Sequence, residues 1–165
     1  MTNSAENLVP PPDNRIIVPT ELLEFDYFAL LSRCKEADYN EVQMGRASSN
    51  PFRASLTFGA NPCFAGATYT KSGDGIYVFH SVATIFPSEL EVLLQSGKVY
   101  GGIVGGSPAS YTKTENLKLL TQFGIKFIPP PEDDFQASFA VAASPDEKKV
   151  YYAYNSRLYR LSRNI

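Results

Sequence analysis

The chain has 165 residues, of which 44% are hydrophobic and 19% are charged, and its formal net charge is -2. This length and composition predict one globular domain that can bury a core without disulfide bonds or a metal ion. The slight excess of acidic residues provides no basic surface for nucleic acid, and no apolar run approaches the roughly 20 residues that cross a bilayer. We therefore expect neither nucleic acid nor a membrane as a partner.

Residues 1–18 are polar and include three consecutive prolines, Pro10 to Pro12. This composition favours extended chain over packed structure, so we interpret the segment as a flexible leader that precedes a single domain at 19–165. The leader lacks the basic and apolar regions of a Sec-type signal peptide. The sequence therefore predicts a protein that is cytoplasmic or is secreted by a route that reads no such signal.

A first helix is predicted to open at Pro19 and Thr20, because Thr20 can act as a cap and apolar residues follow near helical spacing. From Arg53 the pattern changes to short apolar alternations. The runs RASLTF, CFAGATYT and GIYVFHSVA each predict a strand. The SGDG cluster at 72–75 tolerates positive φ and predicts a β-hairpin that joins the last two strands.

Two later segments have the capping-box spacing that marks a helix start. In the first, Ser88 and Glu91 precede a leucine stripe, and Gly97 suits the residue after the last turn. In the second, Thr112 and Glu115 precede NLKLLTQFG. We expect a helix in each segment.

The strand KVYGGIVGG lies between these helices, and IKFI follows the second helix, which closes on Gly124. A strand, a helix and a strand in this order usually form a parallel pair. GGIVGG lacks the Lys-Ser/Thr of a phosphate loop, so we interpret its glycines as sites of close backbone packing.

The last part of the chain predicts further strands. FQASFAVAA and VYYAYN flank the polar turn SPDEKK as a second hairpin, and RLYRLS predicts a third strand. All elements together predict a mixed α/β fold, with a largely antiparallel sheet or sandwich, β-hairpins and two or three packed helices.

Cysteine and histidine are scarce, since the chain contains only Cys34, Cys63 and His80. The two cysteines lie far apart and outside any CxxC spacing, which predicts neither a disulfide framework nor a zinc ribbon. No HxxxH, HExxH or clustered DxD pattern is present. We expect a reducing environment, no bound metal and no other cofactor.

Cys63 and His80 lie on the two strands of the first hairpin and have the residue types of a nucleophile and its base. They would face each other directly if the turn centred between Lys71 and Ser72, whereas SGDG favours a centre one or two residues later. We therefore expect near neighbours with a small offset. Spacing alone favours two structural core residues over a catalytic pair, because cysteine is among the most buried residue types.

The run Thr57-Phe58-Gly59-Ala60-Asn61-Pro62-Cys63, with His80 seventeen residues after the cysteine, resembles the chemoreceptor glutamine deamidase family, CheD. The motif of that family is T-x-G-x-G-S-C, followed by a hairpin and a histidine seventeen residues after the cysteine. The residues that match in type and spacing are Thr57, Gly59, Cys63 and His80. The strand KVYGGIVGG and the later Gly124-Ile125 extend the similarity to about residues 53–128. Deamidating toxins of the cytotoxic necrotizing factor and lethal factor kinds belong to the same fold class.

Two features depart from these families. Asn61-Pro62 stands where CheD has Gly-Ser and the toxins have Ser-Gly, and a proline removes a backbone N–H close to where an oxyanion would be held. The proline-rich leader and the predicted first helix have no counterpart in the family.

The resemblance implies that 19–165 is a single catalytic domain that deamidates a glutamine on a target protein. Cys63 would attack the carboxamide, His80 would keep the thiol ionised and protonate the departing ammonia, and Thr57 would orient His80 or shape the site. The target would lie in the same cell, as a chemoreceptor does, or in a host cell, as the target of a toxin or effector does. We expect a monomer.

Two other functions stay open on the residues alone. One is a non-catalytic protein-interaction module in which the cysteine and histidine are structural. The other is a cysteine protease, which would use the same dyad to cleave a chain.

Overall fold

A computed structural model describes residues 18–22, 27–130, 138–154 and 157–162. Within these ranges the chain forms four helices and ten strands, which confirms the predicted mixed α/β class. The helices are α1 (Tyr27–Glu36), α2 (Ser88–Gln95), α3 (Pro108–Tyr111) and α4 (Thr114–Gln122). The strands are β1 (Val18–Leu22), β2 (Asn40–Glu41), β3 (Ser55–Ala60), β4 (Phe64–Thr70), β5 (Ile76–His80), β6 (Val99–Gly106), β7 (Ile125–Ile128), β8 (Phe139–Ser144), β9 (Lys149–Tyr154) and β10 (Arg157–Ser162).

The strands form two sheets, one with the order β1-β10-β9-β8-β3-β2 and one with the order β5-β4-β6-β7. One neighbouring pair in each sheet is parallel, namely β2 with β3 and β6 with β7. The other paired strands are antiparallel. The predicted hairpins β4–β5 and β8–β9 and the predicted parallel pair are therefore all present.

The two sheets pack face to face around a hydrophobic core. Because side chains alternate between the faces of a strand, every second residue of β5 points at the six-stranded sheet. Ile76 and Val78 do so and lie in this core. His80 continues the same series at the end of β5, so the alternation that builds the core also directs the histidine into the space between the sheets.

Helices cover the outer faces of both sheets. Leu90 and Leu94 of α2 and Leu120 of α4 pack on the four-stranded sheet. Leu30 and Cys34 of α1 pack on the six-stranded sheet. The result is a four-layer α/β/β/α arrangement in which the β4–β5 hairpin belongs to an inner layer.

The glycines of β4 and β6 allow these strands to lie unusually close to their neighbours. A Cβ at Gly66 would lie 2.1 Å from the carbonyl oxygen of Ile103, and a Cβ at Gly102 would lie 2.0 Å from that of Ala67. Both distances are far below van der Waals contact, so only glycine fits. The interpretation of the GGIVGG glycines as packing residues is thereby supported at Gly102.

The predicted start of the first helix is wrong. Val18–Leu22, which includes the proposed cap Thr20, is strand β1 and pairs with β10. The helix begins instead at Tyr27. Sheet pairing with β10, a strand that lies far away in the sequence, outweighs the local capping preference of Thr20. Of the predicted leader, residues 1–17 lie outside the described residues.

Both predicted capping boxes are also wrong, although both helices exist. Pro87 precedes the first residue of α2, and no side chain caps that end. Thr112 ends the one-turn helix α3, and its hydroxyl donates to the Pro108 carbonyl. The stop signals at Gly97 and Gly124 are confirmed, since both adopt positive φ directly after a helix.

Among the residues described, no helix combines the length and the hydropathy needed to span a membrane.

Candidate active site

The register of the β4–β5 hairpin fixes the relation between Cys63 and His80. His80 pairs with Ala65, and the last pair before the turn joins Tyr69 to Ile76. The turn therefore centres between Ser72 and Gly73, and Cys63 lies two residues before the position that faces His80. This is the small offset that the SGDG cluster predicts. A diagonal pair of this kind shares one face of the sheet, with Cα atoms about 7–8 Å apart.

Thr57 meets His80 across the gap between the two sheets. Its Oγ1 lies 2.7 Å from Nδ1 of His80, and the same hydroxyl donates to the carbonyl oxygen of Val42 at 2.8 Å. A threonine hydroxyl has a single proton. Because that proton goes to Val42, Nδ1 must carry the proton of the Thr57–His80 hydrogen bond. The neutral ring then has its lone pair on Nε2.

Nε2 of His80 is buried and has no hydrogen-bond partner among the described residues. Burial also lowers the pKa of the ring below the ordinary value of 6.5, since the charged form loses its hydration. His80 is therefore neutral at pH 7, with a free lone pair at Nε2. Buried polar atoms without a partner are rare in folded proteins, and a catalytic role is one physical reason for them.

A β-bulge in β3 lies next to Thr57. Thr57 pairs with Val141 and Ala60 pairs with Phe139, so β3 has one extra residue between these positions. Gly59 lies in this bulge and adopts φ +74. Bulges re-aim side chains next to functional sites, and this one follows directly after the residue that holds His80.

Cys63 is 6% exposed, and its sulfur makes two polar contacts. Met44 Sδ lies 3.6 Å from Sγ, and the Ala83 N–H donates to Sγ at 3.4 Å. No hydrogen bond joins Sγ to His80 in the described part of the chain. The structure thus joins Thr57 to His80 directly and places Cys63 on the face of the four-stranded sheet that also holds His80.

The turn that precedes Cys63 is tied to the segment after β6. The Pro62 carbonyl accepts a hydrogen bond from the Ser110 hydroxyl, and the Cys63 carbonyl accepts one from the Ser107 N–H at 3.0 Å. The Asn61–Pro62 peptide bond is cis. The N–H of Cys63 itself donates to none of the described residues.

Ala83 lies in a two-residue turn that Val82 and Ile85 close with a pair of backbone hydrogen bonds. Its φ is +51, in the left-handed region that favours glycine. Alanine in this region is strained by about 1–2 kcal/mol, and such strain concentrates at functional sites. Here it aims the Ala83 N–H at the Cys63 sulfur.

A connector, residues 42–48, wraps the site and was not anticipated from the sequence. The Val42 carbonyl accepts from Thr57, the Gly45 N–H donates to the His80 carbonyl at 2.7 Å, and the Arg46 carbonyl accepts from the His80 N–H at 3.0 Å.

Glu89 of α2 anchors the connector through Arg46. Its carboxylate lies 2.8 Å from the Arg46 Nε, and this ion pair holds the Glu89 pKa below its usual range. Backbone contacts of this kind leave no sequence signature, because any residue has the same carbonyl.

Within the described ranges, no group of three or more metal-ligating side chains is close enough to hold an ion. No family model matches the chain, and neither a curated protein nor a solved structure matches it. The resemblance to CheD and to the toxin deamidases therefore stays a prediction.

Proposed function

We propose that the protein is a cysteine-dependent protein-glutamine deamidase that acts through Cys63, His80 and Thr57. The observation that carries the proposal is the Thr57–His80 hydrogen bond, which leaves Nε2 deprotonated, buried and without a partner on the face that also holds Cys63. A structural histidine in a core would be expected to satisfy both ring nitrogens.

The reaction begins when the Cys63 side chain turns from Met44 toward Nε2 and gives up its proton there. The thiolate attacks the carboxamide carbon of a glutamine, and an S–C bond forms as the carbonyl becomes an oxyanion. His80 returns the proton to the leaving nitrogen, the C–N bond breaks, and ammonia departs to leave a thioester. Water then attacks the thioester, with Nε2 as its base, and releases glutamate and the free thiol.

Two backbone N–H groups are available for the oxyanion although Pro62 has none. The Ala83 N–H lies 3.4 Å from the sulfur, and the Cys63 N–H donates to no described residue. Donors held in place beforehand stabilise charge that develops in the transition state. The N–H groups of Ala83 and Cys63 would hold the oxyanion in place of the backbone N–H that proline removes at position 62.

The substrate is a glutamine-bearing protein, and the enzyme acts as a monomer without a cofactor. It works in the cytoplasm or after secretion by a route that reads no Sec-type signal. We favour an effector or toxin with a host target over an enzyme for a chemoreceptor of its own cell, because the similarity to the chemoreceptor deamidases covers only about residues 53–128.

Mass spectrometry of lysate proteins incubated with the enzyme tests the proposal. Each converted glutamine gains about 1 Da, because a hydroxyl replaces the amino group. Wild type and Cys34→Ala should both produce the gain with release of ammonia, whereas Cys63→Ala should produce neither. Equal conversion by wild type and Cys63→Ala would overturn the assignment. Cleaved chains would indicate the protease, and intact unmodified proteins would indicate the interaction module.

A further inference from the structure

Met44 lies on the solvent side of the candidate nucleophile. Its sulfur contacts Cys63 Sγ at 3.6 Å, yet the Met44 residue is 58% exposed whereas Cys63 is 6% exposed. Met44 is exposed to solvent on one side and contacts the thiol on the other, so it lies between the thiol and water. A group that approaches the sulfur from this side must displace Met44.

Two more exposed apolar side chains belong to the turn whose Ala83 N–H contacts the thiol, and one of them lies against the connector. A Cβ built on Gly45 would lie 3.0 Å from a Val82 methyl group, which places Val82 against the connector. Val82 pairs with Ile85 in the turn whose Ala83 N–H contacts the Cys63 sulfur. Val82 is 42% exposed and Ile85 is 66% exposed. We call Met44, Val82 and Ile85 the entrance.

The entrance brings several exposed apolar side chains together. Six large hydrophobic side chains are exposed among residues 30–130 and 138–154, whose exposure the structure describes, and three of them belong to the entrance. The connector's cation near this surface, Arg46, is already paired with Glu89. Clustered exposed apolar side chains mark binding surfaces, whereas single ones are normal.

We infer that the entrance determines specificity: it selects a glutamine whose neighbouring side chain is apolar, and that side chain takes the place of the Met44 thioether. The carboxamide would then reach Sγ while its apolar neighbour packs on Val82 and Ile85. Methionine suits this role because its unbranched, polarisable side chain repacks readily. The inference rests on the proposed function for the identity of the reacting group only, since the entrance itself can be probed with alkylating reagents.

Alkylation of the full chain with iodoacetamide and N-benzyliodoacetamide tests the entrance. Both reagents carry a carboxamide, both form an S–C bond as iodide leaves, and they differ by one apolar group. The rate ratio of the two reagents at Cys63, followed by peptide mass mapping, is divided by the ratio for free glutathione. In the wild type we expect this normalised preference for the benzyl reagent to be about tenfold, as burial of an aromatic ring would give.

Entrance variants should remove the preference. Val82→Ser and Ile85→Ser should each lower it several-fold, and Met44→Ala should also speed alkylation by iodoacetamide, because the sulfur is uncovered. Phe52→Ser is the matched control, since Phe52 is 58% exposed like Met44 but lies against Gly75 at the far end of the hairpin. It should leave both rates unchanged.

A normalised preference near one in the wild type would overturn the inference, as would an equal loss of preference in Phe52→Ser. A strong preference for the benzyl reagent without any deamidation would instead refute the proposed function and still support the apolar selectivity of the entrance. Deamidation without a preference would refute the entrance alone.

Discussion

The Thr57 hydroxyl and the His80 ring form a hydrogen bond that joins the two sheets of the sandwich. Thr57 belongs to β3 of the six-stranded sheet, and His80 ends β5 of the four-stranded sheet. The bond therefore depends on how the sheets pack, and it sets the protonation of the histidine at the same time. The Thr57 hydroxyl should therefore contribute both to the stability of the fold and to the reactivity of His80.

Thr57→Val should destabilise the protein and impair the base. Valine keeps the shape of threonine but leaves the Val42 carbonyl and Nδ1 of His80 buried without their partner, which costs about 2–4 kcal/mol for two unsatisfied groups. Thr57→Ser keeps the hydroxyl and should cost much less. Urea unfolding of the two variants at equal m-value measures the difference. Equal stability of both variants would show that the hydroxyl contributes nothing.

The stability of the fold should fall as the pH drops below about 6.5. Burial lowers the pKa of His80 in the folded state, whereas the unfolded chain keeps the value of 6.5. Between these two pKa values the unfolded chain binds more protons, so stability rises with pH in this window and is fully present above 6.5.

Urea midpoints measured from pH 7.5 to 5 check this dependence. Asp74 and Glu89 contribute little above pH 5.5, because their pKa values are lowered from 3.8 and 4.5 and they titrate mainly below pH 5 in both the folded and the unfolded chain. His80→Gln should abolish the slope. A slope that persists in His80→Gln would assign it to another group.

Cys63 should react with thiol reagents well before Cys34. Cys34 is buried between α1 and the six-stranded sheet, and desolvation raises its pKa to about 11, so little thiolate forms at pH 8. Peptide mapping after brief treatment of the native protein with iodoacetamide should find the label on Cys63. Denaturation in guanidinium should make both cysteines reactive. Preferential labelling of Cys34 in the native protein would contradict the structure.

Gly66→Ala should prevent folding, whereas Gly97→Ala should be tolerated. The new methyl group at Gly66 would overlap backbone atoms of β6, which cannot move without breaking the sheet, so we expect a loss of about 4 kcal/mol or more. Gly97 has open space around it and pays only for its positive φ, about 1 kcal/mol. Circular dichroism and thermal melting of the two variants distinguish these outcomes.

The sequence predicted the elements of the hairpins and of the parallel unit because their signals are local. Alternation, the SGDG turn and the glycine stops act within a few residues of one another. The strand at Val18–Leu22 escaped prediction because its partner, β10, lies at the other end of the chain. Local capping rules have no knowledge of such a partner.

The candidate site divides in the same way. Cys63, His80 and Thr57 were predicted from residue type, spacing and resemblance. Met44 and Ala83 were not, because their contacts with the thiol depend on where the connector and the turn after β5 pass in space. No spacing rule links residue 44 to residue 63.

The connector also closes an open strand edge. β5 is the outermost strand of its sheet, and its outer backbone groups would be free to pair with another chain. Gly45, Arg46 and Ser48 occupy those groups at His80 and Val78 instead. The connector, which holds His80 in position, thus also prevents β5 from pairing with a strand of another molecule. Substitutions that displace the connector should therefore both disable the site and promote aggregation. Loss of activity in connector variants has to be interpreted together with their oligomeric state in solution.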